Sequence, residues 1–301
     1  MVRSFLYERQ PIISTSEITA RIVNNKLHHY LYKLALAVYS VLLFVFIVGD
    51  FTLNIFDSHL HIIDSRFPLY ENNGFLPEAF TVEQYKARVA ELNIQSGAVV
   101  SGSFQKFDQS YLINALALLG DEFVGVTQLP VDVTDEEILS LNKQGIRAVR
   151  FNVRRGGSES ISELSYFADR VYELVKWHVE LYADHNALIA LKSKLCKLSA
   201  VSIDHLGLDK SGVPLLKEFA AQGVKVKATG FGRVDFDALD FVKALHKINP
   251  EALMFGTDLP STRAPMPFED EHLYDLQICL GEKATEQVCW VNARKFYGFT
   301  A

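Results

Sequence analysis

The sequence predicts an α/β protein, a (β/α)8 TIM barrel with an atypical apolar N-terminal extension. Three observations carry this expectation. After residue 50, eight short apolar, β-branched runs recur, at 52–56, 97–100, 123–128, 148–153, 179–182, 200–203, 224–227 and 253–256. Between them lie stretches with apolar residues three and four apart, the spacing of an amphipathic helix. Strands alternating with helices imply parallel pairing through right-handed crossovers, and eight such units match the barrel. Finally, the Gly-rich GxGxxG loop that would favour an open, doubly wound sheet is absent after the first run.

The elements follow in order. Helices are expected over 82–92, 110–119, 135–144, 166–176, 187–198, 213–222 and 237–248, and over 270–296 with a break near Gly281. Thr134 ahead of an acidic turn at 135–137 suits a helix start. Gly120, Gly145 and Gly223 fall where helices end in the left-handed region. The expected division is an extension over 1–50 and a barrel over 51–301.

Composition narrows the function. Hydrophobic residues are 49% and charged residues 22%, which is ordinary globular composition. The net charge is −6, from 30 Lys and Arg against 36 Asp and Glu, so no basic excess invites nucleic acid. Cys196, Cys279 and Cys289 show no CxxC spacing, which suits neither a disulfide framework nor a zinc knuckle and makes a reducing cytoplasm the expected location. The exception is residues 34–49, which carry no formal charge and follow a basic flank. The run is shorter than the about 20 residues of a spanning helix, and reaches that length only by counting back across Lys33 to residue 30. It reads as a membrane anchor over 30–49, as a buried helix closing one end of the barrel, or as sequence the functional protein does not need.

In a TIM barrel, chemistry sits beyond the C-terminal ends of the strands. There the first run leads into Asp57-Ser58-His59-Leu60-His61. Strand alternation places His59 and His61 on one face, joined by Asp57 if the strand extends so far. Such a pair can hold a metal or polarise a carbonyl. The sixth run ends in Asp204-His205, and the eighth in Gly256-Thr257-Asp258-Leu259-Pro260, where a lone carboxylate suits a general base. Arg150 and Asn152 share a face of the fourth run, Arg154 follows them, and Arg233 and Arg263 follow the seventh and eighth. Guanidinium forks at one rim point to an anionic substrate. Ser103 after the second run is a candidate hydrogen-bonding group.

Together the His59-Leu60-His61 pair, Arg150-Phe151-Asn152, Asp204-His205-Leu206-Gly207 and Gly256-Thr257-Asp258-Leu259-Pro260 resemble the amidohydrolase superfamily. Within it they resemble the amidohydrolase-related branch of 2-pyrone-4,6-dicarboxylate hydrolase and the sugar lactonases. The resemblance covers residues 51–299. It implies a hydrolase that opens a small carboxylated lactone. Asp258 would activate water, while His59, His61 and His205 polarise or orient. Arg150, Arg154 and Arg233 would bind carboxylate, with Asn152 and Ser103 beside them. Many superfamily members bridge two metals with a lysine after the fourth strand, or add a histidine after the fifth. Neither stands here: His178 lies at the start of the fifth run, just before residue 179, and His185 lies beyond its end. The expectation is therefore no cofactor, with a single Zn2+ on His59, His61 and Asp258 as the alternative. Two other functions are weighed: a metal-dependent decarboxylase of the same superfamily, and a membrane-tethered binding protein without turnover.

Overall fold

The computed structural model describes residues 53–299. The apolar run 34–49, and with it the expected membrane anchor, lies outside the described residues. Among those described, no helix is long and apolar enough to cross a membrane.

Eight parallel strands form one sheet in sequence order, from β1 (Ile55–Leu60), β2 (Ile94–Val100), β3 (Phe123–Thr127) and β4 (Ile146–Asn152) to β5 (His178–Tyr182), β6 (Val201–Ile203), β7 (Lys225–Ala228) and β8 (Leu253–Phe255). The edges meet: the Asp258 amide donates to the His59 carbonyl at 2.7 Å, and the His61 amide to the Leu259 carbonyl at 2.8 Å. Gly256 permits this approach, since a Cβ there would stand 2.7 Å from the His59 nitrogen. The fold is thus the expected TIM barrel.

The helices are α1 (Val82–Arg88), α2 (Ser110–Leu119), α3 (Asp135–Lys143), α4 (Leu164–Val175), α5 (His185–Leu195), α6 (Val213–Ala221), α7 (Ala238–Ile248), α8 (Glu271–Leu280), α9 (Glu282–Glu286) and α10 (Asn292–Phe296). Their starts obey local chemistry. Thr81 and Thr134 form capping boxes with Gln84 and Glu137, and Asp184 and Asp237 cap α5 and α7. Gly281 breaks the last helical stretch as expected, and a π-helical turn over Gln287–Val291 joins α9 to α10.

The strands separate two cores. Outward residues such as Val99, Val149, Leu181, Ile203 and Val226 pack against the helices. Inward residues Phe56, Ala98, Val124, Ala148 and Met254 cluster with Tyr297. The same inward columns continue into polar residues: Arg150 and Asn152 on β4, His178 and Glu180 on β5, Lys227 on β7, all buried. An apolar layer therefore supports a charged one.

Candidate active site

The first correction to the sequence reading is at β1. The strand ends at Leu60, four residues beyond the expected end at 56, so His59 lies within it. Asp57 pairs with Gly97 and Leu60 with Val99, which leaves one extra residue in β1. This bulge reverses the alternation. Asp57 does not join the histidines: its carboxylate accepts from Tyr85 Oη at 3.0 Å, Thr257 Oγ1 at 2.6 Å and the Thr257 amide at 2.8 Å. It clasps α1 and the chain after β8 to β1, and burial pushes its carboxyl up to about 6.

His59, by contrast, turns inward with His61 and His205, the ring centres of His61 and His205 lying 5.0 and 4.7 Å from that of His59. Nδ1 of His61 lies 2.7 Å from the Val100 carbonyl, an acceptor only, so its proton is on Nδ1 and Nε2 carries the lone pair. Nδ1 of His205 meets Thr229 Oγ1 at 2.8 Å. The Nε2 atoms of both rings lie 3.9 Å from Asp258 Oδ1. Oδ2 of Asp258 accepts from Arg233 Nε at 2.5 Å, and Oδ1 is buried without a hydrogen-bond partner among the described residues. Burial pushes the Asp258 carboxyl above the usual range, although Arg233 pulls the other way. Burial also holds His61 down at about 3 and His205 well below its ordinary value, so both rings are neutral near pH 7. Asp258 and His205 have φ of 60° and 51°, a conformation that costs a non-glycine residue about 1–3 kcal/mol unless its surroundings enforce it.

Beside this trio is a cavity lined by His61, Ser103, Asn152, Arg155, Arg233 and Arg263, with Arg150, Tyr182 and His205. Four arginines thus face one space. Arg150 is largely committed, with Nη2 and Nε on Asp204 Oδ2 at 2.7 and 3.1 Å and Nη1 on the Ser101 carbonyl at 2.8 Å. Arg154 lies elsewhere: the chain turns after Asn152, and its exposed guanidinium stands 3.6 Å from Asp184. Arg155 takes the place expected of it, 5.9 Å over the Tyr182 ring, and among the described residues no hydrogen bond holds its guanidinium. The adjacent Arg-Arg pair was the only signal for it, and sequence does not say which of two neighbours turns inward.

A buried ionic layer lies beneath. Lys227 Nζ donates to Glu180 Oε2 at 2.6 Å, and lies 3.3 Å from His59 Nδ1 and 3.9 Å from Asp204 Oδ1. Glu180 Oε1 also accepts from Tyr297 Oη at 2.5 Å and lies 3.1 Å from His178. Burial alone would raise Glu180, but Lys227 and His178 outweigh it and hold the carboxyl at about 2. Burial holds His59 and His178 below their ordinary values. These groups set a pH dependence. An unfolded chain takes up protons on histidine below about pH 6.5 and on glutamate below about pH 4.3. The folded chain resists both until His61 protonates near about 3 and Glu180 near about 2. Stability is then full above about pH 6.5 and falls through that window, the raised Asp57 opposing part of the loss. Urea midpoints at pH 7, 5 and 4 should decline in that order; a flat series would contradict the assignment.

The profile of the Amidohydrolase family matches residues 56–299, and so spans all eight strands but for the first residue of β1. The chain belongs to the amidohydrolase family. Two relatives named 4-sulfomuconolactone hydrolase, from Rhizobium radiobacter and Hydrogenophaga intermedia, are 26% and 25% identical over 215 residues. The first match covers 64% of this chain and 71% of the relative, the second 65% and 70%. A probable 2-pyrone-4,6-dicarboxylic acid hydrolase from Acinetobacter baumannii, solved with citric acid bound, shares the fold with a TM-score of 0.70 at 23% identity, covering 82% of this chain and 100% of its own. A putative enzyme of the same name from Pseudomonas putida has a TM-score of 0.67 at 23% identity, covering 83% and 99%.

Among the described residues, this amidohydrolase has two groups with candidate ligand atoms within 4.8 Å of one another: His59, His205 and Asp258, and His59, Glu180 and Asp204. The first has His205 where the sequence reading placed His61. Buried, unpartnered His59 Nε2 and Asp258 Oδ1 have the donor types a zinc ion takes. The charges around them do not fit a divalent cation. Arg233 occupies Asp258, Arg150 occupies Asp204 and Lys227 occupies Glu180. A ligating histidine donates its other N–H to a carboxylate, carbonyl or water. His61 has that arrangement toward Val100, whereas His59 faces the Lys227 ammonium.

Proposed function

We propose that this amidohydrolase opens a small carboxylated lactone with water activated by Asp258, without a metal. The observation that carries the reading is the Asp258 carboxylate, with one oxygen fixed by Arg233 and the other unpartnered, 3.9 Å from both imidazole Nε2 atoms. A water hydrogen-bonded to Oδ1 and to the His61 lone pair spans that separation. Asp258 takes its proton as the water oxygen bonds to the lactone carbonyl carbon. Collapse of the tetrahedral intermediate breaks the ring C–O bond, and the proton passes to the departing oxygen. The product gains one carboxylate. The raised Asp258 carboxyl is a stronger base than a free aspartate. Arg155 and Arg263, with Arg233, Asn152 and Ser103, face the substrate's carboxylate, and the alignment they give lowers the entropic part of the barrier.

Relatives named for hydrolysis of a lactone support the reaction class. The decarboxylase alternative lacks its extra histidine, since β5 ends in Tyr182 and Ala183 is next. Free Cys196, Cys279 and Cys289 support a reducing cytoplasm. We assign the chemistry to residues 51–301 and no catalytic part to residues 1–50, so a chain beginning near residue 51 keeps its turnover number.

The test is a panel of lactones with and without carboxylate groups, each assayed with and without a chelator. Hydrolysis is expected for the carboxylated members and is indifferent to chelation. Hydrolysis of none, or loss on chelation, would refute the reading. Arg155→Ala removes a charge-assisted contact of about 1.5–3 kcal/mol and should raise KM roughly 10- to 100-fold with little change in kcat. Arg154→Ala should leave both constants within about twofold.

A further inference from the structure

We infer that Lys227 is a positioning residue that sets the tautomer of His59, putting the ring proton on Nε2, so that the site offers a hydrogen-bond donor where a related site would offer a metal ligand. The inference deepens the metal-free reading and rests on it. His59 is fully buried, and burial together with the Lys227 charge keeps its ring neutral, so it carries one proton on one of two nitrogens. Two groups address Nδ1: Lys227 Nζ at 3.3 Å and Asp204 Oδ1 at 3.5 Å. An ammonium has three N–H donors and no acceptor, so a proton on Nδ1 would point at another donor. With Nδ1 accepting from Lys227, the proton stands on Nε2. Among the described residues that nitrogen is buried without a partner. Lys227 is itself held by Glu180 at 2.6 Å, and Glu180 by Tyr297 and His178, so its position is fixed from below.

Two consequences follow. The Nε2–H of His59 donates to an oxygen in the reacting position, complementing the lone pair that His61 presents there. Metal binding is suppressed, because ligation through Nε2 would move the proton to Nδ1 against an ammonium. Asp204 Oδ1, buried and unpartnered, is the acceptor that His59 Nδ1–H would take if Lys227 were neutralised.

The test is spectroscopic. Long-range proton–nitrogen NMR spectra of the 15N-histidine-labelled full chain, assigned with His59→Gln, should show His59 with its proton on Nε2; a proton on Nδ1 would overturn the inference. The variant Lys227→Met with Glu180→Gln removes both charges of the buried pair together, so that neither is left alone. Its His59 should switch to the Nδ1–H form, and Co2+ titration followed by visible absorption should give binding about 10- to 100-fold tighter than wild type. Unchanged Co2+ affinity in the folded variant would overturn the inference. If the variant does not fold, the wild-type tautomer decides alone. Both readouts are made without substrate, so a lactone panel that failed would refute the hydrolase reading and leave the tautomer result standing.

Discussion

Asp258→Asn is expected to lower turnover of a carboxylated lactone by about 10²–10⁴-fold, the usual contribution of a general base. The substitution is close to isosteric, and asparagine tolerates the left-handed φ of 60° at this position better than most residues. Its amide oxygen can accept from Arg233 in place of Oδ2, so the arrangement is retained and only basicity is lost. KM should therefore change little while kcat falls. The pH profile separates this from general damage. In the wild type, activity is full above the raised carboxyl pKa of Asp258 and falls as protonation removes the base. Residual activity in Asp258→Asn should lack that acid limb. Turnover equal to wild type would remove Asp258 from the mechanism, and a matching loss of folded protein would show damage instead.

How far the sequence could be read depends on what each feature rests on. Strand and helix alternation is local, and the barrel was legible from it, as were the caps at Thr134 and the glycines at 120, 145 and 223, whose φ values are 95°, 94° and 91°. The convergence of His61, His205 and Asp258 was legible because each stands at the end of a strand, and the barrel brings strand ends together. The orientation of Asp57 was not. Simple alternation puts Asp57 with His59, and only the pairing with β2 reveals the extra residue that turns them apart. Arg154 and Arg155 differ by the path of a turn after β4, which adjacency in sequence does not encode. Lys227 and Glu180 show another limit. A charged residue inside a short β run reads as an exposed face, and its burial makes sense only once a partner two strands away is known, as Glu180 on β5 is to Lys227 on β7. The His178-x-Glu180 spacing was the available signal, since both side chains fall on the inward face of β5.

Arg150→Met should cost about 3–5 kcal/mol of stability, the usual penalty for stripping one partner from a buried pair. Arg150 is 3% exposed and Asp204 fully buried. The guanidinium spans two acceptors, the Asp204 carboxylate and the Ser101 carbonyl, which ties the loops after β6 and β2 to β4. Burial would raise the Asp204 carboxyl, and Arg150 and Lys227 outweigh it to keep the group ionised. Without Arg150, that carboxylate has Lys227 at 3.9 Å, an ammonium already engaged by Glu180. Arg150→Lys should restore only part of the loss, since one ammonium on a shorter reach does not reproduce the planar fork. Arg150→Met combined with Asp204→Asn should lose markedly less than Arg150→Met alone, because the buried charge disappears with its partner. Urea unfolding of the four proteins at pH 7 measures the difference. Equal losses in the single and double variants would mean that the penalty is one of packing. A smaller loss in the double variant shows that Arg150 neutralises Asp204, and that its guanidinium supports the cavity wall.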